Sequence, residues 1–151
     1  MVKPKKLKPG SRIGIVSPSY WLDKDDLERS AKYFSEAGYR LKLGRSNHLQ
    51  YGPFAGTAQE RADDINEMFL NPEIDAIFCA RGGYGANKVL PLINYENIRS
   101  NPKIFLGYSD ITAYLTSITQ KTDLVTFHGP MLSSFRNEFV QYNYDSMVNM
   151  L

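Results

Sequence analysis

The 151-residue sequence is poor in the residues that many functions require: it has one cysteine, two histidines and one tryptophan. The lone Cys79 cannot close an internal disulfide, and no cysteine-rich set exists for a structural metal, so a reducing cytoplasm suits the chain. No stretch approaches the roughly 18 consecutive apolar residues of a membrane span. A secretory signal would need an apolar segment after the first lysines, but Leu7-Lys8-Pro9-Gly10 interrupts at once. A strong charge of one sign is also missing. The net charge is +2, and Lys3, Lys5, Lys6 and Lys8 account for more than that, which leaves the body slightly acidic. Nucleic-acid binding needs a basic face that neutralises several phosphates, so no such partner is expected. Repeats and low-complexity segments are absent.

With 42% hydrophobic and 23% charged residues, the composition is that of an ordinary soluble domain and excludes disorder, collagen and coiled coil. A chain of this length can bury roughly 70% of the surface it would expose when unfolded, enough for one core without staples.

Strand and helix signals alternate along it. Arg12 to Ser17 is an apolar run closed by Pro18, a buried strand followed by a loop. Asp23 caps a helix whose apolar side is Leu27, Ala31, Phe34 and Ala37, with Gly38 just past its end. Tyr39 to Leu43 is the next strand, and Gly44 to Gly56 has no clear period and reads as a loop long enough to be functional. Thr57-Ala-Gln-Glu60 is a capping box opening a helix that carries Ile65, Met68 and Phe69. Ile74 to Ala80 resembles an interior parallel strand. A Gly-rich turn, Arg81 to Gly85, leads into a short helix through Val89 and Leu92, and Lys103 to Gly107 is another strand. Asp110 to Gln120 is the following helix, and Leu124 to Phe127 completes the series. Compact βα connections predict an α/β fold, an open, mostly parallel sheet with helices on both faces, flavodoxin-like or class I glutamine-amidotransferase-like. Near the end, Asp145 is positioned to cap a helix burying Met147, Val148 and Leu151; such a short helix needs a continuation, and fraying is the alternative.

In open α/β sheets ligands bind beyond the carboxyl ends of the strands, which singles out Ser17 to Tyr20, Arg81 to Gly85, Gly107 to Asp110 and Phe127 to Gly129. In Gly107-Tyr108-Ser109-Asp110 a serine stands between a buried strand and a helix, where a tight turn would expose its hydroxyl. The N–H of Asp110 would then face an oxyanion forming on a carbonyl attacked by Ser109. The competing role is helix capping, and Ile111 replaces the second glycine of G-x-S-x-G. Arg81-Gly-Gly-Tyr-Gly85 allows backbone amides to approach a ligand. It lacks the lysine and spacing of a P-loop and the spacing of a dinucleotide fingerprint, so no nucleotide cofactor and no metal are expected. Gly83 N–H as a second oxyanion donor and a plain sharp turn both remain open for this loop. His128 is a better candidate base than His48 because it stands at a strand end, although a hydrogen bond to loop backbone is the favoured account of it. Cys79 reads as a small buried side chain.

Five segments in order, Leu7-Lys-Pro-Gly10 running into Ile13 to Ser19, Tyr51 to Gly56, Arg81 to Gly85, Gly107 to Thr112 and Phe127 to Pro130, resemble the amino-terminal half of the LD-carboxypeptidases. This serine peptidase family includes murein tetrapeptide carboxypeptidases and microcin C immunity proteins. The resemblance runs from about Leu7 to Leu132 and implies that Ser109 is the nucleophile of a Ser-His-Glu triad, with oxyanion-hole amides from Asp110 and Gly83. It also implies that the triad Glu and His belong to a missing carboxy-terminal domain, which removes His128 as the base and leaves these residues inactive alone. The expected organisation is a basic leader at 1–10, a nucleophile-bearing domain at 11–135, and at 136–151 the start of a linker or helix toward that domain, as in an excised domain, cleavage fragment or split product. Ser17, Ser19, Tyr20, Arg81 and Gly82 are expected to line the pocket for a peptide substrate, a murein tetrapeptide cleaved in the cytoplasm to release its terminal D-residue. The alternatives are hydrolysis of a microcin C-type peptidyl nucleotide and a non-catalytic murein-peptide-binding module. An exposed face could also pair two copies as a homodimer.

Overall fold

The computed structural model describes residues 1–151. Five short strands, β1 (Arg12–Val16), β2 (Arg40–Leu43), β3 (Ala76–Cys79), β4 (Ile104–Gly107) and β5 (Phe127–His128), form one all-parallel sheet in the order β2-β1-β3-β4-β5. This is the flavodoxin-like order, with its topological switch between β1 and β3. In register, Ile15 lies between Leu43 and Phe78, Phe78 pairs with Leu106, and Gly107 pairs with His128.

Both faces of the sheet are covered, which is why its central strands are apolar without interruption. Successive side chains of a strand point to opposite faces. Ile77 and Cys79 therefore join one buried layer with Ile65 and Phe69 of α2 (Ala58–Leu70), Ile98 of α4 (Tyr95–Ser100) and Tyr114 and Ile118 of α5 (Thr112–Thr122). Ala76 and Phe78 join the other, with Leu27 and Phe34 of α1 (Lys24–Glu36) and Met147 of α6 (Gln141–Met150). Asp23 caps α1 by accepting from the Asp25 and Asp26 amides, and Thr57 with Glu60 forms the expected capping box on α2. No helix is long and apolar enough to cross a membrane.

Several elements differ from their sequence-based expectation. The segment 44–56 is not shapeless: it opens with a 3-10 turn, Arg45–His48, and closes with reciprocal backbone hydrogen bonds between Tyr51 and Phe54. Strand β5 starts three residues later than expected because Leu124 bridges to Val2 and the Val125 amide donates to the Val2 carbonyl, so the amino-terminal segment takes those backbone groups. That segment is docked rather than free, and Leu7 is buried with its amide donating to Leu151 O. Helix α4 gave little signal because only Ile98 of its six residues is buried. Asp145 does not cap a helix: α6 begins at Gln141, and the Asp145 carboxylate accepts from the Gln141 side chain within it. The earlier start is favoured by Tyr144, which packs on Phe34 and Phe139.

One buried carboxylate organises the loop after β2. Asp64 accepts from the Arg45 amide at 2.8 Å, from the Ser46 amide at 2.7 Å and from the Ser46 hydroxyl. The Ser46 hydroxyl in turn accepts from the Ser17 amide at 2.9 Å, which fixes the chain leaving β1. Gly44 is required beside it, since a Cβ there would stand 2.4 Å from an Asp64 oxygen. Asp64→Ala would leave these donors without a partner, and we expect a loss of about 2–4 kcal/mol in urea unfolding. A loss under about 0.5 kcal/mol, the range of ordinary surface changes, would remove Asp64 from this role.

Candidate active site

The carboxyl ends of β1, β3 and β4 meet at one edge of the sheet, and the loops leaving them are joined there. β4 ends at the buried Gly107; Tyr108 is extended, and Ser109 then takes a left-handed conformation with φ 63° before a 3-10 turn, Ser109–Ile111, runs into α5. A side chain in that region carries steric strain, and the consequence is a sharp turn with Ser109 at its apex. Ser109 is exposed, and its hydroxyl makes no hydrogen bond within the chain. Ile111 occupies the position of the second glycine of G-x-S-x-G, and space comes from the other side: a Cβ on Gly107 would stand 2.6 Å from the Ile111 side chain.

The Asp110 carboxylate turns inward, accepting from the Ser19 hydroxyl at 2.6 Å and from the Ala86 amide at 3.2 Å. Ala86 is the first residue of α3 (Ala86–Val89), so one carboxylate joins the loops after β1, β3 and β4. Beneath it the Pro18 carbonyl accepts from Arg61 Nη1 at 2.9 Å and from the Tyr114 hydroxyl at 2.8 Å. Burial pushes the Tyr114 phenol well above its ordinary pKa and keeps it a donor, while burial lowers the pKa of Arg61, opposed by the Asp110 carboxylate. The Cys79 thiol is likewise pushed up by burial and is inert packing.

The Gly-rich loop comes against the serine. A Cβ on Gly82 would lie 3.0 Å from Ser109 Cβ, and one on Gly83, where φ is 145°, would lie 2.4 Å from the Tyr20 ring. The Gly83 amide donates to no atom of the chain. Tyr20 is held by Phe54, edge to face at 5.7 Å, and the Arg81 guanidinium lies over its ring. Arg81, Gly82, Gly83 and Ser109 line one cavity of about 270 Å³.

Three expected contributors have different places. Ser17 and Ser19 are wholly buried, with their hydroxyls donating to Asn47 Oδ1 and Asp110, so they shape the loop rather than line the cavity. Tyr20 supports Gly83 from behind. Of the histidines, His48 lines a separate depression with Trp21 and Asp23, while His128 packs on Tyr108 and faces a shallow one beside Thr112 and Thr116. Neither is hydrogen-bonded to Ser109. Ser133 and Arg136, which were not among the expected site residues, close the cavity from the segment after β5. Extending the strand-end rule a few residues past Gly129 would have found them. No cluster of three His, Cys, Asp or Glu side chains is placed to hold a metal ion. A larger cavity of about 460 Å³ lies beyond Tyr84 and Gly85. Its one aliphatic hydroxyl, Thr57, is committed to the cap of α2 and donates to Glu60.

Known proteins resemble this chain over most of its length. The chain is 44% identical over 132 residues to a probable murein peptide carboxypeptidase of Bacillus subtilis, covering 87% of this chain and 41% of that protein. It is 36% identical over 151 residues to the microcin C7 self-immunity protein MccF of Escherichia coli, covering 96% of this chain and 44% of that one. An MccF-like protein from Bacillus anthracis superposes with a TM-score of 0.94 at 34% identity, over 100% of this chain and 47% of the other. The chain thus spans less than half the length of these relatives. Residues 13–129 match the LD-carboxypeptidase N-terminal domain, and the chain belongs to that family.

Proposed function

We propose that this chain is the nucleophile-bearing half of a serine LD-carboxypeptidase, and that the whole protein hydrolyses the L,D-amide of a murein tetrapeptide to release its terminal D-residue. The observation that carries this is Ser109: an exposed, unpartnered hydroxyl at the apex of a strained strand-to-helix turn, beside the unengaged amide of Gly83. Ser109 Oγ attacks the scissile carbonyl, passing its proton to a histidine base. The negative charge that develops on the carbonyl oxygen is met by the Gly83 and Asp110 amides. Collapse breaks the C–N bond, the leaving amine takes the proton from the histidine, and water then hydrolyses the acyl ester on Ser109.

No histidine of the chain is bonded to Ser109, so the base and the glutamate that orients it come from outside these residues, as in the Ser-His-Glu triad of the family. Residues 11–135 form the nucleophile-bearing domain. Ser17, Ser19 and Tyr20 position the loops that present Ser109 and Gly83, and Arg81 and Gly82 face the peptide. Under this reading the protein works in the cytoplasm, where Cys79 stays reduced.

The microcin-type reading is kept because the alignment with the self-immunity protein spans 96% of the chain. Comparing release from a murein tetrapeptide with release from a peptidyl adenylate separates the two. The murein substrate is favoured by the higher identity, 44%, to the murein peptide carboxypeptidase.

The 151-residue chain alone is expected to release no D-alanine from a murein tetrapeptide. Supplied with the second half of a family member, it should turn over, and Ser109→Ala should lower that rate by at least about a thousandfold while leaving peptide binding intact. Retention of turnover by Ser109→Ala would end the assignment, and Ser109-dependent release by the chain alone would return His128 to the role of base. The strain itself is measurable: Ser109→Gly should raise stability by about 1 kcal/mol, because glycine accepts a positive φ freely. A fall in the urea midpoint would show that the turn is relaxed.

A further inference from the structure

A carboxypeptidase substrate ends in a free carboxylate, and an enzyme with the proposed hydrolytic function, on which the assignment of Arg136 below rests, must tell that end from an internal amide. The same cavity holds the groups to do so. Among the residues lining it are Ser109, Gly83, Arg81, Met131, Ser133 and Arg136, and no aspartate or glutamate is among the rest. Two guanidinium groups therefore share a small concave wall with the serine, and nothing in that wall neutralises them.

The pairing of the other arginines makes this pointed. The chain has eight. Arg12, Arg29, Arg45 and Arg99 face carboxylates, Arg40 donates to the Gly10 carbonyl, and Arg61 donates to Pro18. Arg81 is tied to the Trp21 carbonyl at 3.3 Å and rests on Tyr20. Among the arginines only the Arg136 side chain has no hydrogen bond and no ion pair, and it lines the cavity of Ser109.

Its backbone, by contrast, is held firmly. The Ser133 amide donates to the Ala80 carbonyl at 2.8 Å, which fastens the 3-10 turn Leu132–Phe135 to the end of β3. Leu132 and Phe135 are fully buried, and the Arg136 carbonyl accepts from Arg29 Nη1 at 2.7 Å. A fixed backbone thus delivers a free guanidinium to the wall of the cavity. Charges of one sign in a cleft with low-dielectric walls concentrate the field there, and the planar donor fork of arginine matches a carboxylate with two parallel hydrogen bonds. A cavity of about 270 Å³ is roughly nine waters' share of liquid volume, room for one small residue and its carboxylate.

We propose that Arg136, with Arg81 as a second fixed charge, receives the free terminal carboxylate of the peptide and so sets the scissile amide at Ser109 one residue from the end. Arg136 is then a specificity-determining residue that recognises the leaving D-residue by its charge.

The test is binding of two ligands to the 151-residue chain by titration calorimetry: a murein tetrapeptide ending in D-alanine and the same peptide as its C-terminal amide. The free acid should bind roughly tenfold to a hundredfold more tightly, the range of charge-assisted hydrogen bonds. Arg136→Gln should erase that preference without changing affinity for the amide or the melting temperature, since the side chain has no partner within the fold. Should the glutamine variant unfold, Arg136→Lys keeps the charge and should keep part of the preference. Arg81→Gln should reduce it. Equal binding of acid and amide, failure of both to bind at millimolar concentration, a preference that survives Arg136→Gln, or parallel loss of both ligands in that variant would each overturn the assignment. Binding does not pass through Ser109 chemistry, so Ser109→Ala should retain the preference. Survival of turnover in Ser109→Ala would instead count against the proposed hydrolysis and leave this binding result standing.

Discussion

The Asp110 carboxylate accepts from a hydroxyl of the loop after β1 and from the first amide of the helix after β3, while its own backbone belongs to the turn after β4. Strands in a parallel sheet fix only the points where the chain leaves the sheet; the loops beyond are free to diverge. Here one side chain makes their divergence costly, because a partly buried carboxylate that loses its donors is left desolvated without compensation. The Ser19 hydroxyl and the Ala86 amide are therefore held to Asp110 as firmly as Asp110 is held to them. The same loop is clamped from below by two donors on Pro18 O, one of them a guanidinium and the other a buried phenol. The serine next to Asp110 inherits this rigidity without contributing to it, so its hydroxyl remains free for chemistry.

Close approach is the second constraint. Gly83 brings backbone to Tyr20, and Gly107 to Ile111, at separations that no Cβ permits, while Gly82 approaches the serine at one that a Cβ would crowd. The glycine in the strand thus substitutes for the glycine that the familiar serine-turn pattern puts after the nucleophile. One side of the turn must be bare, and which side is bare can differ between sequences.

How much of the fold was legible in the sequence depends on how local each signal is. The buried strands β3 and β4 and the cap of α2 depend on neighbours within a few residues, so apolar runs and the Thr57–Glu60 spacing reveal them. Of the candidate site, the strand-end glycines and the sharp turn at Ser109 were legible. Ser17 and Ser19 were less so, since their partners, Asn47 and Asp110, are distant in sequence and no period announces such hydrogen bonds. The start of α6 was missed because its support is the aromatic contact of Tyr144 with Phe34 and Phe139, a tertiary effect that overrides the attraction of Asp145 as a cap. Arg136 escaped for a related reason: its position is set by Ser133 N–H on Ala80 O, a bond across the sheet edge.

The distribution of charge gives the fold its direction. Seven of the chain's 18 cations, none of them beside Ser109, are matched by nearby carboxylates, and pairs of that kind contribute little to stability because solvent screens them. Their effect is instead on the field, which each pair flattens locally. Around Ser109 the matching stops. The one carboxylate close in sequence, Asp110, is turned away and occupied by Ser19 and Ala86, so it cannot pair with Arg81 or Arg136 across the cavity. The hydrogen bonds that fix the loops thus also leave the arginines of the cavity without a carboxylate, and the turn that strains the serine keeps its hydroxyl exposed beside them. Structural order and electrostatic bias at this site have the same origin in the orientation of Asp110.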